Sequence, residues 1–289
     1  MTQDSPASDS TPDAIGMVAG SGLLPVCFAR GASRRGIRVV AAAIKGEASA
    51  DLEEEVDEIH WTGLARLGKW IKIFKKAGVT RAVMCGGINK TRAFDGKRGL
   101  SLLPDLRSAK LWYKQLKSHE DHTVLQAVAE EFESEGITIE RSILYCPELL
   151  AGHGCLTARD PDEQEWEDIR FGWPIVRQIA ALQVGQSIVV KNTTVLAVEG
   201  IDGTDATLKR GGRLGNGDAV AIKVAKEGHD ERFDMPCVGP DTVETMAESG
   251  VSTLAVDAKK TLVLEREHTV EKADRAGICL IGIDESDLE

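Results

Sequence analysis

IGMVAGSGLLPVCFARGASRRGIRVVAAAI, Ile15 to Ile44, runs strand, glycine turn, helix, strand within a single short stretch. Ile15–Gly20 is a short apolar run that ends on glycine. Leu23, Leu24, Cys27 and Phe28 then return at helical spacing, and that pattern stops near Gly31 to Gly36. Ile37–Ile44 is almost continuously apolar, as a strand covered on both faces must be. The same unit recurs downstream. EIHWT (Glu58–Thr62) reads as a weaker strand, and Leu64, Leu67, Ile71 and Phe74 line the next helix, which stops at Gly78. RAVMCGG (Arg81–Gly87) is a buried strand ending in glycines. Val124, Leu125, Val128 and Phe132 mark a helix closed by Gly136, and Ile137–Tyr145 reads as a last strand. Repeated strand–helix units predict an α/β domain with a doubly wound parallel sheet and right-handed crossovers.

The texture changes after residue 146. Residues 147–170 are poorly apolar and contain PEL, GHG and the acidic DPDEQEWED, which reads as a linker between domains at 14–146 and 171–289. In the second domain, SIVVKNTTVLAVEG (Ser187–Gly200) has the pattern of a hairpin about Lys191–Asn192–Thr193. AVAIKVA, STLAVDA, KTLVLE and GICLIGI read as strands, and Thr242–Gly250 and His268–Gly277 as short helices. The expectation is a distinct α/β domain with a mixed sheet. Residues 1–13, rich in Ser, Pro and Asp, read as a disordered tail.

Composition narrows the function. The chain of 289 residues carries a net charge of −11, which argues against nucleic acid as a partner. An anionic ligand would need locally concentrated positive charge or a recruited divalent cation. The six cysteines are scattered and form no CxxC pair, the pattern of reduced thiols in a cytoplasm. No run approaches the roughly 18 apolar residues of a membrane span.

Several stretches carry candidate chemistry. In AGSGLLP, Gly20 and Gly22 follow a strand and open a helix, so they form either a phosphate-lining loop or a turn that permits tight packing. The dinucleotide fingerprint needs a third glycine where Pro25 stands, which argues against nicotinamide binding. CGGINKTR would place Lys90 and Arg92 beyond a strand end. In SHEDHTVLQ, Asp121 suits a helix cap, and His119 and His122 with it do not match a known metal-ligand spacing. DGTDATLKRGGR (Asp202–Arg213) sets two acids about Gly203–Thr204 before Lys209, Arg210 and Arg213. It suits either a metal-bound phosphate or a capped helix with a solvated basic turn. KEGHDERFDMPCVGP (Lys226–Pro240) crowds charge before Asp234, and Pro236 biases the chain there toward an extended course. Lys223 and Lys226 lie near the end of the preceding strand.

EGIDGTDATLKR, the long run VAIKVAKEGHDERFDMPCVGPDTVETMAESGVSTLAVDA and AGSGLLP together resemble the UDP-2,3-diacylglucosamine pyrophosphatases of the LpxI type. The resemblance covers nearly the whole chain after the tail. It implies a Rossmann-like N-terminal domain, a catalytic C-terminal α/β domain and a substrate chamber between them. It implies magnesium-dependent hydrolysis of UDP-2,3-diacylglucosamine to UMP and 2,3-diacylglucosamine 1-phosphate, in lipid A synthesis. The family's essential acid maps to Asp234 in Arg232–Phe233–Asp234–Met235–Pro236, and its Gly-Thr-Asp motif to Gly203, Thr204 and Asp205. This chain departs from the family at His229, where glutamine is common, at Glu120–Asp121–His122, where Gly-Asp-Asp is common, and in lacking an Arg-Pro pair near CGGINKTR.

The resulting expectation is Mg²⁺ held by Asp234 with Asp205 as second ligand, and Asp234, Arg232 and Lys226 as the catalytic set. Gly20, Gly22, Gly203, Thr204, Asp205, Arg210 and Lys223 would contact substrate. The partner is a lipid-linked nucleotide sugar, reached by a cytoplasmic homodimer peripheral to the inner membrane. Two other classes compete: a metal-dependent hydrolase of another nucleotide sugar, and a non-catalytic lipid- or nucleotide-binding relative.

Overall fold

A computed structural model describes residues 13–88, 104–115, 121–226 and 230–288. The chain divides into two compact units, with the boundary between Cys146 and Pro147. The expectations placed on residues 1–12, Lys90, Arg92, His119, Glu120 and His229, and on the side chains of Asp121 and His122, fall outside the described residues.

The first unit is built on β1 (Ala14–Ala19), α1 (Leu24–Arg34), β2 (Arg38–Ile44), β3 (Glu58–Thr62), α2 (Leu67–Lys76) and β4 (Arg81–Cys85). It continues through α3 (Leu106–Gln115), α4 (Asp121–Glu133) and β5 (Thr138–Glu140). The sheet is parallel throughout, in the order β3-β2-β1-β4-β5. That order reverses between β1 and β4, so right-handed crossovers send α1 to one face and α2 and α4 to the other. Phe74 of α2 stacks on Phe132 of α4 with ring centres 5.9 Å apart, and Phe28 of α1 meets Tyr145 edge-on at 5.6 Å. All three phenylalanines are fully buried, each contributing about 1.5–3 kcal/mol of transfer free energy. The last expected strand, Ile137–Tyr145, is shorter than its pattern. Only Thr138–Glu140 pairs, and Ser142–Leu144 turns into a 3-10 helix.

The glycines at the ends of β1 and β4 face each other. Ser21 and Gly87 form an antiparallel bridge: each backbone N–H donates to the other's carbonyl, at 2.7 and 3.0 Å. The Gly20 N–H donates to the Cys85 carbonyl at 2.8 Å. A Cβ on Gly20 would stand 2.3 Å from the Gly87 oxygen, and one on Gly86 would stand 2.4 Å from the Ser21 oxygen. These glycines are therefore required by backbone contact. The N–H groups of Gly20, Ser21 and Gly87 are engaged in these contacts, so Gly20 serves close packing and its N–H is already bonded to Cys85. Gly22, with φ of +88°, stands exposed beyond the bridge.

The second unit contains β6 (Gly154–Cys155), α5 (Glu163–Ala181), β7 (Ser187–Lys191), β8 (Thr194–Val198), α6 (Thr204–Gly215), β9 (Ala219–Lys223) and β10 (Cys237–Val238). It ends with α7 (Pro240–Ser249), β11 (Val251–Asp257), β12 (Leu262–Val263), α8 (Arg266–Arg275) and β13 (Cys279–Ile283). Its six-stranded sheet is mixed, in the order β6-β13-β11-β9-β7-β8, and β10 pairs with β12 alone. Helix α5 packs on one face through Ile169, Trp173 and Val176, and α6, α7 and α8 pack on the other through Leu208, Met246 and Ala273. The expected hairpin is present. Asn192 and Thr193 both take positive φ, the conformation of a two-residue hairpin turn, and the Asp168 carboxylate accepts both their N–H groups. All six cysteines are free thiols.

The stretch read as a linker, 147–170, is structured within this unit. It holds β6, which pairs with β13, and the first half of α5. The acids of DPDEQEWED begin that helix: the Asp162 carboxylate caps the Glu165 N–H, and the Glu165 carboxylate accepts the Asp162 N–H in return. Glu165 is buried and also takes a two-pronged ion pair from Arg159 at 2.7 and 2.9 Å, with hydroxyl donors from Ser252 and Thr253. Arg159 donates onward to the carbonyls of Ser252 and Gly277. The acidic run looks like a solvated linker in composition, yet one of its acids is the centre of a buried network.

Burial alone would raise the Glu165 pKa, but the donors from Arg159, Thr253, the Asp162 backbone and Ser252 outweigh it and hold the group at about 2 against an ordinary 4.5. A lowered carboxylate pKa stabilises the fold above the ordinary value and loses that contribution as pH falls toward the folded value. Glu165→Gln should lower stability at neutral pH by about 1.5–3 kcal/mol. It should also flatten the loss of stability between pH 4.5 and about 2, as read by urea melts across that range. In the first unit, Gly20→Ala should destabilise by about 1–3 kcal/mol, because its Cβ meets fixed backbone. Differential scanning calorimetry would show that change as a lower midpoint.

Candidate functional site

In open α/β sheets the strand ends at the carboxyl edge are where ligands bind. In the second unit β9, β11 and β13 run parallel and finish together: Lys223 lies beside Val256, and Asp257 beside Ile283. β7 starts at the same edge, with Ser187 opposite Lys223, and β8 leaves it into Glu199. Four polar side chains are buried at this edge: Ser187, Glu199, Lys223 and Asp257. Apolar packing dominates both faces behind them.

Two loops rise from the edge. The first, after β8, carries Gly203, Thr204 and Asp205. Glu199 sits beneath it, accepting from the Gln186 N–H and the Ser187 hydroxyl through Oε2, and from the Thr204 hydroxyl through Oε1. Arg210 braces it from α6, with one nitrogen on Asp202 at 2.6 Å and another on the Val198 carbonyl at 2.8 Å. The Arg210 guanidinium holds the Asp202 carboxyl below its usual range. Gly203 is the N-cap residue of α6 and lends it no side-chain cap, and Asp205 stands exposed in the first turn. There the helix dipole favours negative charge. The DGTDATLKRGGR stretch is therefore a helix start. Thr204 and Arg210, both expected on substrate, are engaged in holding the loop.

The second loop, between β9 and β10, carries Lys226, Asp230, Arg232 and Asp234. The Lys226 ammonium lies 3.6 Å from the Asp234 carboxylate, on a side chain 18% exposed against 38% for the acid. Arg232 forks onto Asp230 through Nε and Nη2, the shorter contact at 2.6 Å, and its guanidinium stacks over the Phe233 ring at 5.1 Å. The Phe233 and Asp234 N–H groups both donate to the Asp230 carbonyl. Asp234 thus closes a backbone turn. The extended course expected from Pro236 begins only after it, where the Pro236 carbonyl accepts from Leu262 and β10 follows.

The roots of this loop are fixed by charges that the sequence reading did not place correctly. Lys223, expected to face an anion, is buried and donates to the Cys237 carbonyl at 2.8 Å, tying the far end of the loop to β9. Asp257, at the end of STLAVDA, accepts the Ala225 N–H at 2.6 Å and pairs with Arg177 of α5. Asp257 and Arg177 are each the single charge inside an apolar run, STLAVDA and WPIVRQIAA.

Among the described residues, neither Asp234 nor Asp205 belongs to a group of three close metal-ligand side chains. The group that does exist is His153, Asp284 and Asp287, at the edge beyond β13. For magnesium this is no obstacle, because the ion keeps several waters and takes one or two carboxylates plus substrate oxygens. Asp234, an oxygen donor more than a third exposed, fits that donor set.

The fold and this edge define a class: a chain of two α/β units whose second sheet presents an acid and a lysine on a loop held at both ends. Residues 14–157 match the LpxI N-terminal domain and residues 152–281 the LpxI C-terminal domain, and the chain belongs to the LpxI family. It is 28% identical over 281 residues to the UDP-2,3-diacylglucosamine pyrophosphatase LpxI of Caulobacter vibrioides, spanning 93% of this chain and 97% of that one. A shorter similarity, 26% over 130 residues, joins 43% of this chain to 22% of the bifunctional purine biosynthesis protein PurH of Bacillus subtilis. Among solved structures, the biotin carboxylase domain of Hydrogenobacter thermophilus 2-oxoglutarate carboxylase aligns at 10% identity with a TM-score of 0.24. It covers 63% of this chain and 35% of that one, and implies nothing about the present fold.

Lys223→Met separates bracing from ligand contact. Losing the donor to Cys237 should lower stability in urea melts by about 1–3 kcal/mol. A lysine held out toward an anion in solvent would instead leave the melt unchanged.

Proposed function

We propose that this chain hydrolyses the pyrophosphate bond of UDP-2,3-diacylglucosamine, releasing UMP and 2,3-diacylglucosamine 1-phosphate for lipid A synthesis. The observation that carries the reading is the Lys226–Asp234 pair on a loop held at both roots, in a chain matched to the Caulobacter pyrophosphatase over nearly its whole length. A pyrophosphate brings negative charge that grows on the phosphoryl oxygens as the bond breaks. Lys226 stands where it can offset that charge, and its pairing with Asp234 keeps both side chains preorganised before substrate arrives. Arg232, stacked and forked on the same turn, supplies a second cation whose orientation is already set. The exposed amide end of α6 at Gly203–Asp205 suits a phosphate oxygen or the nucleotide. Asp234 would hold Mg²⁺, with Asp205 as second ligand. When bound, the ion offsets phosphoryl charge and orders a water.

The substrate's acyl chains place the reaction at a lipid surface. No helix among the described residues is long and apolar enough to cross a membrane. A peripheral contact with the inner membrane is therefore part of this proposal, as is a homodimer, which sedimentation in detergent-free buffer would test.

Phosphorus NMR of UDP-2,3-diacylglucosamine, followed with and without Mg²⁺, tests the reaction. UMP and the sugar 1-phosphate should appear only with the metal. Asp234→Ala should lower turnover by at least about 100-fold, the scale of losing an electrostatic group at the reacting centre, while the melting midpoint holds. Near-normal turnover in that variant would remove Asp234 from the reacting centre. Equal rates on a non-acylated UDP-sugar would reassign the substrate to another nucleotide sugar.

A further inference from the structure

Three charges stand at the roots of the loop that carries Lys226 and Asp234, Lys223 and Asp257 buried and Arg177 partly so, and the chemistry above uses none of them. Lys223 works from the face covered by α6, α7 and α8, since its neighbours Ala219 and Ala221 pack there. Asp257 works from the opposite face, as Ala255 packs against α5. The contacts of Asp257 are unusually concentrated. Its Oδ1 accepts Arg177 Nη2 at 2.5 Å. Its Oδ2 accepts Arg177 Nη1 at 3.0 Å and the Ala225 N–H at 2.6 Å. Arg177 Nη1 also reaches the Ala225 carbonyl at 3.3 Å. One ion pair therefore holds both polar groups of a single residue, the one immediately before Lys226.

Stability alone is a poor account of this arrangement. A buried ion pair recovers little beyond its desolvation cost, and apolar residues of similar volume often serve the fold as well. The pair also carries an unsatisfied donor. Arg177 Nε is buried without a hydrogen-bond partner among the described residues, as is Nε1 of Trp173, the ring under the guanidinium at 5.1 Å. What the fork does provide is direction. With its N–H and C=O both held, Ala225 has a fixed peptide orientation on each side, and the next Cα launches the lysine. The Lys226 ammonium must meet a carboxylate eight residues further along, whose own segment is tied down through Cys237. Small errors of placement at a reacting centre cost large factors in rate.

We propose that Asp257 and Arg177 are positioning residues that act on the reaction through Lys226. The proposal rests on the reading of the Lys226–Asp234 pair as the reacting centre. Neither residue touches the substrate. Their product is the orientation of the peptide that precedes Lys226, and their loss should appear in kcat with little change in KM.

The test is a double-mutant cycle on the full-length protein with UDP-2,3-diacylglucosamine and Mg²⁺. Asp257→Asn retains an acceptor for the Ala225 N–H but turns an amide toward the Arg177 donors. Arg177→Lys retains charge and loses the fork. Each should lower kcat about 10- to 100-fold with KM within about threefold. Added to Lys226→Ala, each should cost at most about twofold more, because its effect passes through the missing lysine. Losses that multiply in the Lys226→Ala background would overturn the proposal, as would an unchanged kcat.

A second readout does not need turnover. The ammonium resonance of Lys226, assigned by its loss in Lys226→Ala, should move in Asp257→Asn and Arg177→Lys in the direction seen for Asp234→Asn. An unmoved resonance overturns the proposal whatever the kinetics. Absence of turnover in the unmodified protein would instead overturn the reading of the reaction and leave the resonance to decide the role of the pair. Should Asp257→Asn fail to fold, Arg177→Lys carries both measurements.

Discussion

Where β9 and β11 run out, the backbone leaves a sheet covered on both faces and still carries donors and acceptors that need partners. That constraint shapes the second unit. A strand end in contact with water can be satisfied by solvent. A strand end under packed helices must find protein groups, and an unpaired one costs as much as a lost hydrogen bond. Here the partners are ionised side chains: Asp257 for the Ala225 N–H, Lys223 for the Cys237 carbonyl, and Glu199 for the Gln186 N–H. Each charge in turn needs company, which brings Arg177 to Asp257 and hydroxyl donors from Ser187 and Thr204 to Glu199. The polar edge of this sheet follows from satisfying a few buried amides and carbonyls.

The first unit meets the same constraint by another route. β1 and β4 end side by side, and their glycines let the two backbones satisfy each other through the Ser21–Gly87 bridge without charge. This solution needs the absence of side chains, since any Cβ at Gly20 or Gly86 would collide with a carbonyl. The two units thus carry glycine-rich and charge-rich strand ends for one physical reason. The glycine version resembles a phosphate cradle in sequence, yet the structure spends its amides internally. The charged version resembles a solvated loop, yet Lys223, Glu199 and Asp257 are buried at its base.

Those two inversions explain what was legible in the sequence. Apolar runs such as Ile37–Ile44 and the helical stripe through Phe74 report burial directly, and the parallel sheet followed from them. The hairpin at Asn192–Thr193 was legible because the chain reverses between two β-branched runs. Helix α5 was missed because its first turn is acidic and Pro174 interrupts it, although Asp162 and Glu165 carry the spacing of a capping box. Asp234 was singled out by motif resemblance and Lys226 as a cation near a strand end, and the two side chains lie 3.6 Å apart. Lys223 was misread and Asp257 and Arg177 were passed over for one reason. Residue type reveals a charge, but whether it faces a ligand or a backbone carbonyl depends on which strand ends beside it, and that is a property of register.

The double anchoring of the Lys226–Asp234 loop has a consequence for how such a chain can diverge. Its roots are held by Lys223, Asp257 and Arg177, all of which lie outside the span from Lys226 to Pro236. Among the described residues, the contacts that anchor the span are thus distinct from the Arg232–Asp230 fork and the Lys226–Asp234 pair made within it. The loop behaves as an exchangeable cassette on a fixed socket. In comparing relatives, the socket residues should report shared ancestry of the scaffold, while the cassette should report what each chain has come to recognise.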